Sequence, residues 1–281
     1  MVELKIPDIN EICSRIIEMD AKFNEESKPI REWVLDCRKD INKNNLLLKD
    51  KSDENDIKIL RIILQNMLVR AITGEAGDKI RVNLEENIKT KEDLTMENYK
   101  KILNNYRWGP EKGGQVISDV VDYFKKQNWD FVEYFQAVED NFQDNFQEDE
   151  LKKIKHSGFK LRDLALSSFN KNYVAIDLHV ARLITRMGLL NEGFNMKCLK
   201  RGSIEMGNNP GDDKQYIFLH KLVLRLSELT KGTPNEYSPV DLDRIFWHFG
   251  RTVCKNIPDC DNCPIKDICL TGKALLNKQL G

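Results

Sequence analysis

Four of the chain's seven cysteines, Cys254, Cys260, Cys263 and Cys269, stand within sixteen residues in the stretch RTVCKNIPDCDNCPIKDICL, spaced C-x5-C-x2-C-x5-C. Four thiolates on one short loop can hold a zinc ion or an iron–sulfur cluster. Zinc sites usually present two close C-x2-C pairs, and here only Cys260 and Cys263 are so paired. A single central pair flanked by two five-residue gaps favours the larger [4Fe-4S] cube over zinc. The total of seven is odd, and the clustering reads poorly as a disulfide framework. Cys13, Cys37 and Cys198 sit in or near apolar helical text and read as buried thiols.

A second group of reactive types lies before the cysteines. Glu139 to Glu150 reads EDNFQDNFQEDE, with six acids and no base; the next twelve residues, LKKIKHSGFKLR, carry five bases and no acid. The switch is either two solvated faces of adjacent helices or a basic platform for phosphates, a local property that the net charge of −1 does not reveal. HSGFK is a tight turn around Gly158. If two helices meet there, the free amides at the second helix's start form an anion site that suits a DNA phosphate. Asp177, at the head of DLHVARLITRMGLL, reads first as a helix N-cap.

The elements that must position these groups read as helices throughout, so the fold class is all-α. Residues 9–19 and 30–37 are amphipathic, and the polar text NKNNLLLKDKSDEND reads as a loop. Residues 56–72 are apolar on nearly every side, as in a buried central helix. Thr90 and Thr95 precede acids, as helix caps do. Pro110 opens a helix whose Val116, Ile117, Val120, Val121 and Phe124 form one face. Residues 129–135 make a short aromatic-rich helix or turn, and 147–155 and 161–169 two short helices. Val180, Leu183, Ile184 and Met187 share a face of the helix after Asp177, which stops near Gly188. Residues 191–214 are the long connection, 215–229 a further helix, and Ser238-Pro239-Val240-Asp241 the start of one running into the cysteines. Tyr106, Trp108, Trp247 and Phe249 could stack on a base but read mostly as core, and Trp247 and Phe249, in a helix that must pack against the cysteine loop, are given no binding role. No run approaches the roughly eighteen apolar residues of a membrane span, and the acidic N-terminus lacks a secretory signature, so an intracellular chain (cytoplasm or nucleoid) is expected.

The segment LKKIKHSGFKLRDLALSSFNKNYVAIDLHVARL resembles the helix-hairpin-helix DNA glycosylases, the superfamily of endonuclease III. Its pattern is a leucine-proline-glycine-x-glycine-x-lysine hairpin, then a short helix, an apolar pair, aspartate, x and histidine. Gly158 falls on the second hairpin glycine, His156 on the first, Lys160 on the lysine, Asp177 on the aspartate and His179 on the histidine. The proline and first glycine are replaced, and Lys160 and Asp177 stand seventeen residues apart, closer than in the family. ILQNM resembles the family's leucine-serine-x-glutamine stretch, without its serine, which places Gln65 where a side chain fills the space of a flipped base. YRWGPEKGGQVI and WHFGRTVC resemble further family segments. The family's cysteines are spaced C-x6-C-x2-C-x5-C, one residue longer in the first gap.

The resemblance covers roughly residues 55 to 270. It implies a two-lobed fold with a cleft between lobes: residues 55–176 as a central barrel ending in the hairpin, and 1–54 plus 177–281 as a composite domain closed by a [4Fe-4S] cluster on Cys254, Cys260, Cys263 and Cys269. It implies base excision repair: a DNA glycosylase and abasic-site lyase, with Lys160 as nucleophile and Asp177 as the carboxylate stabilising positive charge at C1′. Gln65, Lys155, His156, Ser157, Gly158, Phe159 and His179 would contact DNA. The expected partner is damaged double-stranded DNA, met by a monomer. The lesion stays open among oxidised pyrimidines, 8-oxoguanine and mispaired adenine. The other reading is a DNA-binding damage sensor without catalysis.

Overall fold

The computed structural model describes residues 8–23, 29–69, 74–104, 106–107, 109–142, 150–189, 210 and 213–273. Cys198, Trp108, the acidic residues 143–149 and most of the 191–214 connection lie outside the described residues. Among the described residues every regular element is helical. Two compact units divide the chain: Lys39–Tyr173, and Met1–Arg38 with Val174–Gly281.

In the Lys39–Tyr173 unit, α3 (Asp53–Leu68) is the central helix. The Ser52 hydroxyl accepts from the Asn55 amide at its start, and three acids occupy its first turn, where they complement the helix dipole. Ile57, Ile59, Leu60, Ile63, Leu64, Met67 and Leu68 are all buried, as expected of a helix apolar on most sides. It packs against α4 (Gly74–Asn87), α6 (Pro110–Lys126) and α9 (Phe159–Leu166). Pro110 sits in the first turn of α6, and the expected face of Val116, Ile117, Val120, Val121 and Phe124 is buried. Phe124 meets Phe131 at 4.4 Å and Tyr134 at 5.3 Å, tying α6 to α7 (Phe131–Phe142).

Three differences from the sequence reading have local causes. The text NKNNLLL is not loop: α2 (Ile30–Leu47) continues through it because Ile41 is buried and Asn44 donates to the Ser168 carbonyl at 2.8 Å. The aromatic stretch 129–135, expected as a short helix or turn, opens a helix of twelve residues that starts at Phe131. The sequence reading names no element at α4, whose buried positions reduce to the narrow stripe Ile80, Leu84 and, just beyond its end, Ile88. Two glycines and a mostly polar remainder mask that stripe.

The other unit is built on α12 (Pro239–Thr252), which packs against α10 (Leu178–Met187), α11 (Asp213–Glu228) and α1 (Ile9–Phe23). The start of α12 is the expected capping box: Ser238 Oγ accepts from the Asp241 amide, and Asp241 Oδ2 accepts from the Ser238 amide at 2.7 Å. Asp241 is buried, and Arg38 answers its charge with a two-pronged pair at 2.9 and 2.7 Å. In α10, Val180, Leu183, Ile184 and Met187 are all buried, each worth roughly 1.5–3 kcal/mol relative to exposure. Gly188 ends the helix in the left-handed conformation at φ 77°. Gly250 lets α12 approach α10: a Cβ there would stand 2.7 Å from the His179 carbonyl oxygen. Cys13 is buried as expected, whereas Cys37 is only half-buried, because it lies toward the solvent side of α2.

Candidate active site and metal centre

The hairpin of the Lys39–Tyr173 unit joins α8 (Glu150–Lys153) to α9. The Ser157 amide donates to the Ile154 carbonyl at 2.9 Å, closing the turn. His156 and Gly158 both take the left-handed conformation, at φ 72° and 86°. These are the two positions where the resemblance asks for glycine. A histidine holds the first left-handed residue despite its Cβ, a conformation that costs about 1–2 kcal/mol and persists only where the surroundings impose it. Gly158 caps α9 and brings no side chain to its first amides, which α-helix geometry leaves without intrahelical acceptors.

Side chains around the turn separate by role. Lys155 is exposed and His156, Ser157 and Lys160 are half-buried. Lys160, in the first turn of α9, makes no hydrogen bond or ion pair with any described residue. Phe159 is buried, with Lys152 Nζ 4.8 Å from its ring centroid and the Arg162 guanidinium 5.1 Å away. Of the residues expected to meet DNA, Phe159 can therefore offer its main chain but not its ring. Ser157 Oγ lies 3.7 Å from Met67 Sδ, so the hairpin sits at the C-terminal end of α3, two residues beyond half-buried Gln65. Asn66 Nδ2 reaches Ser168 Oγ at 3.0 Å and fixes α3 to the end of α9.

In the other unit, Asp177 is 5% exposed and caps α10. Its Oδ1 accepts from the amides of His179 at 2.7 Å and Val180 at 3.1 Å. Its Oδ2 takes no hydrogen bond from a described residue, so one oxygen is committed to the cap and the other is available.

Two residues that sequence reading passed over fasten α10 to the cysteine loop. Arg182 and Arg186 are 4% and 1% exposed. Arg182 Nε donates to the Cys254 carbonyl at 3.0 Å, and its Nη2 donates to the Gly250 carbonyl at 2.6 Å and to His179 Nδ1 at 3.0 Å. Arg186 gathers the carbonyls of Cys254, Lys255 and Asn256 at 3.3, 2.5 and 2.8 Å, and its Nη1 lies 3.4 Å from Cys254 Sγ. The Cys269 thiol donates to the Arg186 carbonyl at 3.2 Å. The available signal was a pair of arginines four residues apart in a helix with a strong apolar face, a placement that requires buried acceptors.

His179 shows how tightly this corner is drawn. A guanidinium can only donate, so Nδ1 accepts from Arg182 and the ring proton sits on Nε2. Burial holds its pKa below the usual imidazole range, against the raising pull of the Asp177 carboxylate, and the neighbouring Arg182 charge lowers it further. The unfolded chain therefore binds this proton more readily, so stability drops as pH falls through the ordinary imidazole value of about 6.5. We expect the urea midpoint to decrease between about pH 7.5 and pH 5.5, and to decrease less in His179→Asn. An equally steep decrease in that variant would refute the assignment.

All four clustered cysteines line one cavity, together with Arg186, Phe249 and Gly272. Among the described residues no three His, Cys, Asp or Glu side chains converge as a single ion would require. A zinc ion draws its thiolates to about 2.3 Å each, whereas a cluster keeps them apart around its own volume. These four cysteines are the residues that would hold such a group. Burial raises the thiol pKa values of Cys260 and Cys269 and pushes Cys263 up to about 12.

No family model matches the chain, and no curated protein matches it. Among solved structures, a trapped endonuclease III–DNA covalent intermediate, an estranged-adenine complex, aligns with a TM-score of 0.48 and 18% sequence identity. The alignment covers 86% of this chain and 98% of that one. The chain is thus similar, over most of its length and at low identity, to an endonuclease III.

Proposed function

We propose that the protein is a DNA glycosylase with abasic-site lyase activity, acting in base excision repair on a damaged base extruded from duplex DNA. The observation that carries this reading is the hairpin. Residues 156 and 158 are both left-handed, as the glycosylase hairpin pattern demands, even though one of them is a histidine. Lys160 follows in the first turn of α9 with no competing partner among the described residues.

The chemistry follows from the side-chain types. As the bond from C1′ to the base breaks, positive charge develops on the sugar, and the Asp177 carboxylate stabilises it through the oxygen that the cap leaves available. The Lys160 amine adds to C1′, and the departing base takes up a proton. Opening of the sugar ring gives an imine between Lys160 and C1′. Loss of a C2′ proton then breaks the C3′–O bond and cuts the strand, and water hydrolyses the imine to regenerate the amine.

The hairpin amides with Lys155, His156, Ser157, Gly158 and Phe159 bind backbone phosphate. Gln65 occupies the space that the flipped nucleotide leaves, and His179 supports the DNA contact at the head of α10. Cys254, Cys260, Cys263 and Cys269 would hold a [4Fe-4S] cluster, and Arg186 ties their loop to α10.

Duplexes carrying an oxidised pyrimidine, 8-oxoguanine, adenine opposite 8-oxoguanine, or an abasic site test the proposal directly. Release of at least one base, with cleavage of the abasic strand, is expected. Retention of every base and every strand, despite binding of the duplexes, would replace the enzyme with a damage sensor.

A further inference from the structure

Within the unit that carries Asp177, one group of side chains has no part in the proposed chemistry. The inward positions of α12 are filled by Leu242, Ile245, Phe246 and Phe249, each at most 2% exposed. Trp247 falls off that stripe and is only half-buried. Its ring meets Trp33 of α2 at 5.6 Å, tilted by 35°, and meets His179 edge-to-face at 6.4 Å and 80°. The same His179 gives its amide to Asp177 Oδ1 at 2.7 Å. Trp247 therefore packs on the residue two positions after Asp177. Cations surround the pair: the exposed Arg251 guanidinium lies 5.0 Å from the Trp247 centroid, and that of Arg244 lies 5.8 Å from Trp33.

We propose that Trp247, backed by Trp33 and covered by Arg251, is the surface on which the extruded base stacks, and that the base it accepts is planar. This rests on the glycosylase reading and adds to it a substrate class. Two half-buried indoles outside the core stripe cost the unit exposed aromatic area without filling its interior. What they offer is a flat, electron-rich face beside His179, at the head of the helix that Asp177 caps. An arginine over that face is a fitting movable cover: its guanidinium is planar, stacks on rings, and can leave the ring to pair with a phosphate. Stacking rewards only flat rings. An 8-oxoguanine, an adenine or a pyrimidine that keeps its 5,6 double bond satisfies the face; a ring-saturated pyrimidine puckers and does not.

The test compares base release with affinity for a duplex carrying a tetrahydrofuran abasic analogue, which has no base to stack. In Trp247→Ala, release should fall by about ten-fold or more beyond any loss of abasic-analogue affinity, the scale of one lost base–aromatic stack. Trp247→Phe should recover most of the difference, and thermal melts monitored by circular dichroism check that both variants fold. The wild type should release a planar base faster than its ring-saturated counterpart, with uracil and dihydrouracil as the matched pair if both are accepted. Equal losses in release and abasic-analogue affinity, or faster release of ring-saturated bases, would overturn the inference and leave the glycosylase standing. A wild type that releases no base at all would overturn both.

Discussion

Asp177→Asn lowers base release by roughly 10²–10³-fold while the fold keeps its stability. The substitution separates two roles held by one side chain. As a cap, Asp177 accepts two amide hydrogen bonds through Oδ1, and asparagine caps helices as well as aspartate does. In the proposed reaction its carboxylate supplies negative charge where the sugar becomes positive, and an amide of the same shape does not. Loss of one such electrostatic contribution is worth about 2.7–4 kcal/mol in other enzymes, which sets the expected range. Single-turnover base release beside urea melts of the same preparations reads both roles. A variant that releases base at the wild-type rate would reduce Asp177 to a cap. Asp177→Ala is the complementary change: it loses the cap as well and should cost about 1 kcal/mol of stability.

Removing the cluster has the second large effect. On the proposed assignment, Cys263→Ala, or chelation of the metal from the wild type, strips the group that the four cysteines of the 254–269 loop would hold. Arg186 is 1% exposed, and its donors depend on carbonyls of that same loop. Once the loop loosens, a buried guanidinium is left without acceptors, a situation that typically costs about 3–5 kcal/mol. We expect broad visible absorption and roughly four irons per chain in the purified wild type, as a [4Fe-4S] cluster requires. Cys263→Ala should lose both and unfold at a lower urea concentration by an amount on that scale. One zinc per chain without visible absorption would contradict the assignment, as would an undiminished midpoint in the variant.

What could be read in advance divides along physical lines. Helices announced by their ends were legible: the Ser238-Pro239-Val240-Asp241 start of α12 and the Asp177 to Gly188 span of α10 use local chemistry visible in a few residues. So was the burial of α3, since a helix apolar on nearly every side has no other place to go. Elements held by long-range contacts were not. The second half of α2 is polar text kept helical by partners such as Ser168, more than a hundred residues away. The stripe of α4 is too narrow to outweigh its glycines. At the candidate site, residue type and spacing singled out Lys160, Asp177 and the cysteines, and the structure adds their settings: Lys160 in the first turn of α9, Asp177 at the cap of α10 and the four cysteines around one cavity. Arg182 and Arg186 were not legible, because their partners are backbone carbonyls, and no sequence pattern names a carbonyl. His156 shows the reverse case: it reads as a departure from the hairpin pattern, while its backbone takes the conformation that the pattern exists to provide.

The central claim is that Lys160 forms a covalent bond with the sugar of a damaged or abasic site. Borohydride reduces the imine of such a bond to a stable amine, so the protein becomes permanently attached to labelled duplex DNA. Wild-type protein incubated with an abasic-site duplex and borohydride should yield one protein–DNA adduct on a denaturing gel, and Lys160→Ala should yield none while still binding the duplex. An adduct of equal yield in Lys160→Ala, or no adduct from a wild type that binds the duplex, would contradict the account.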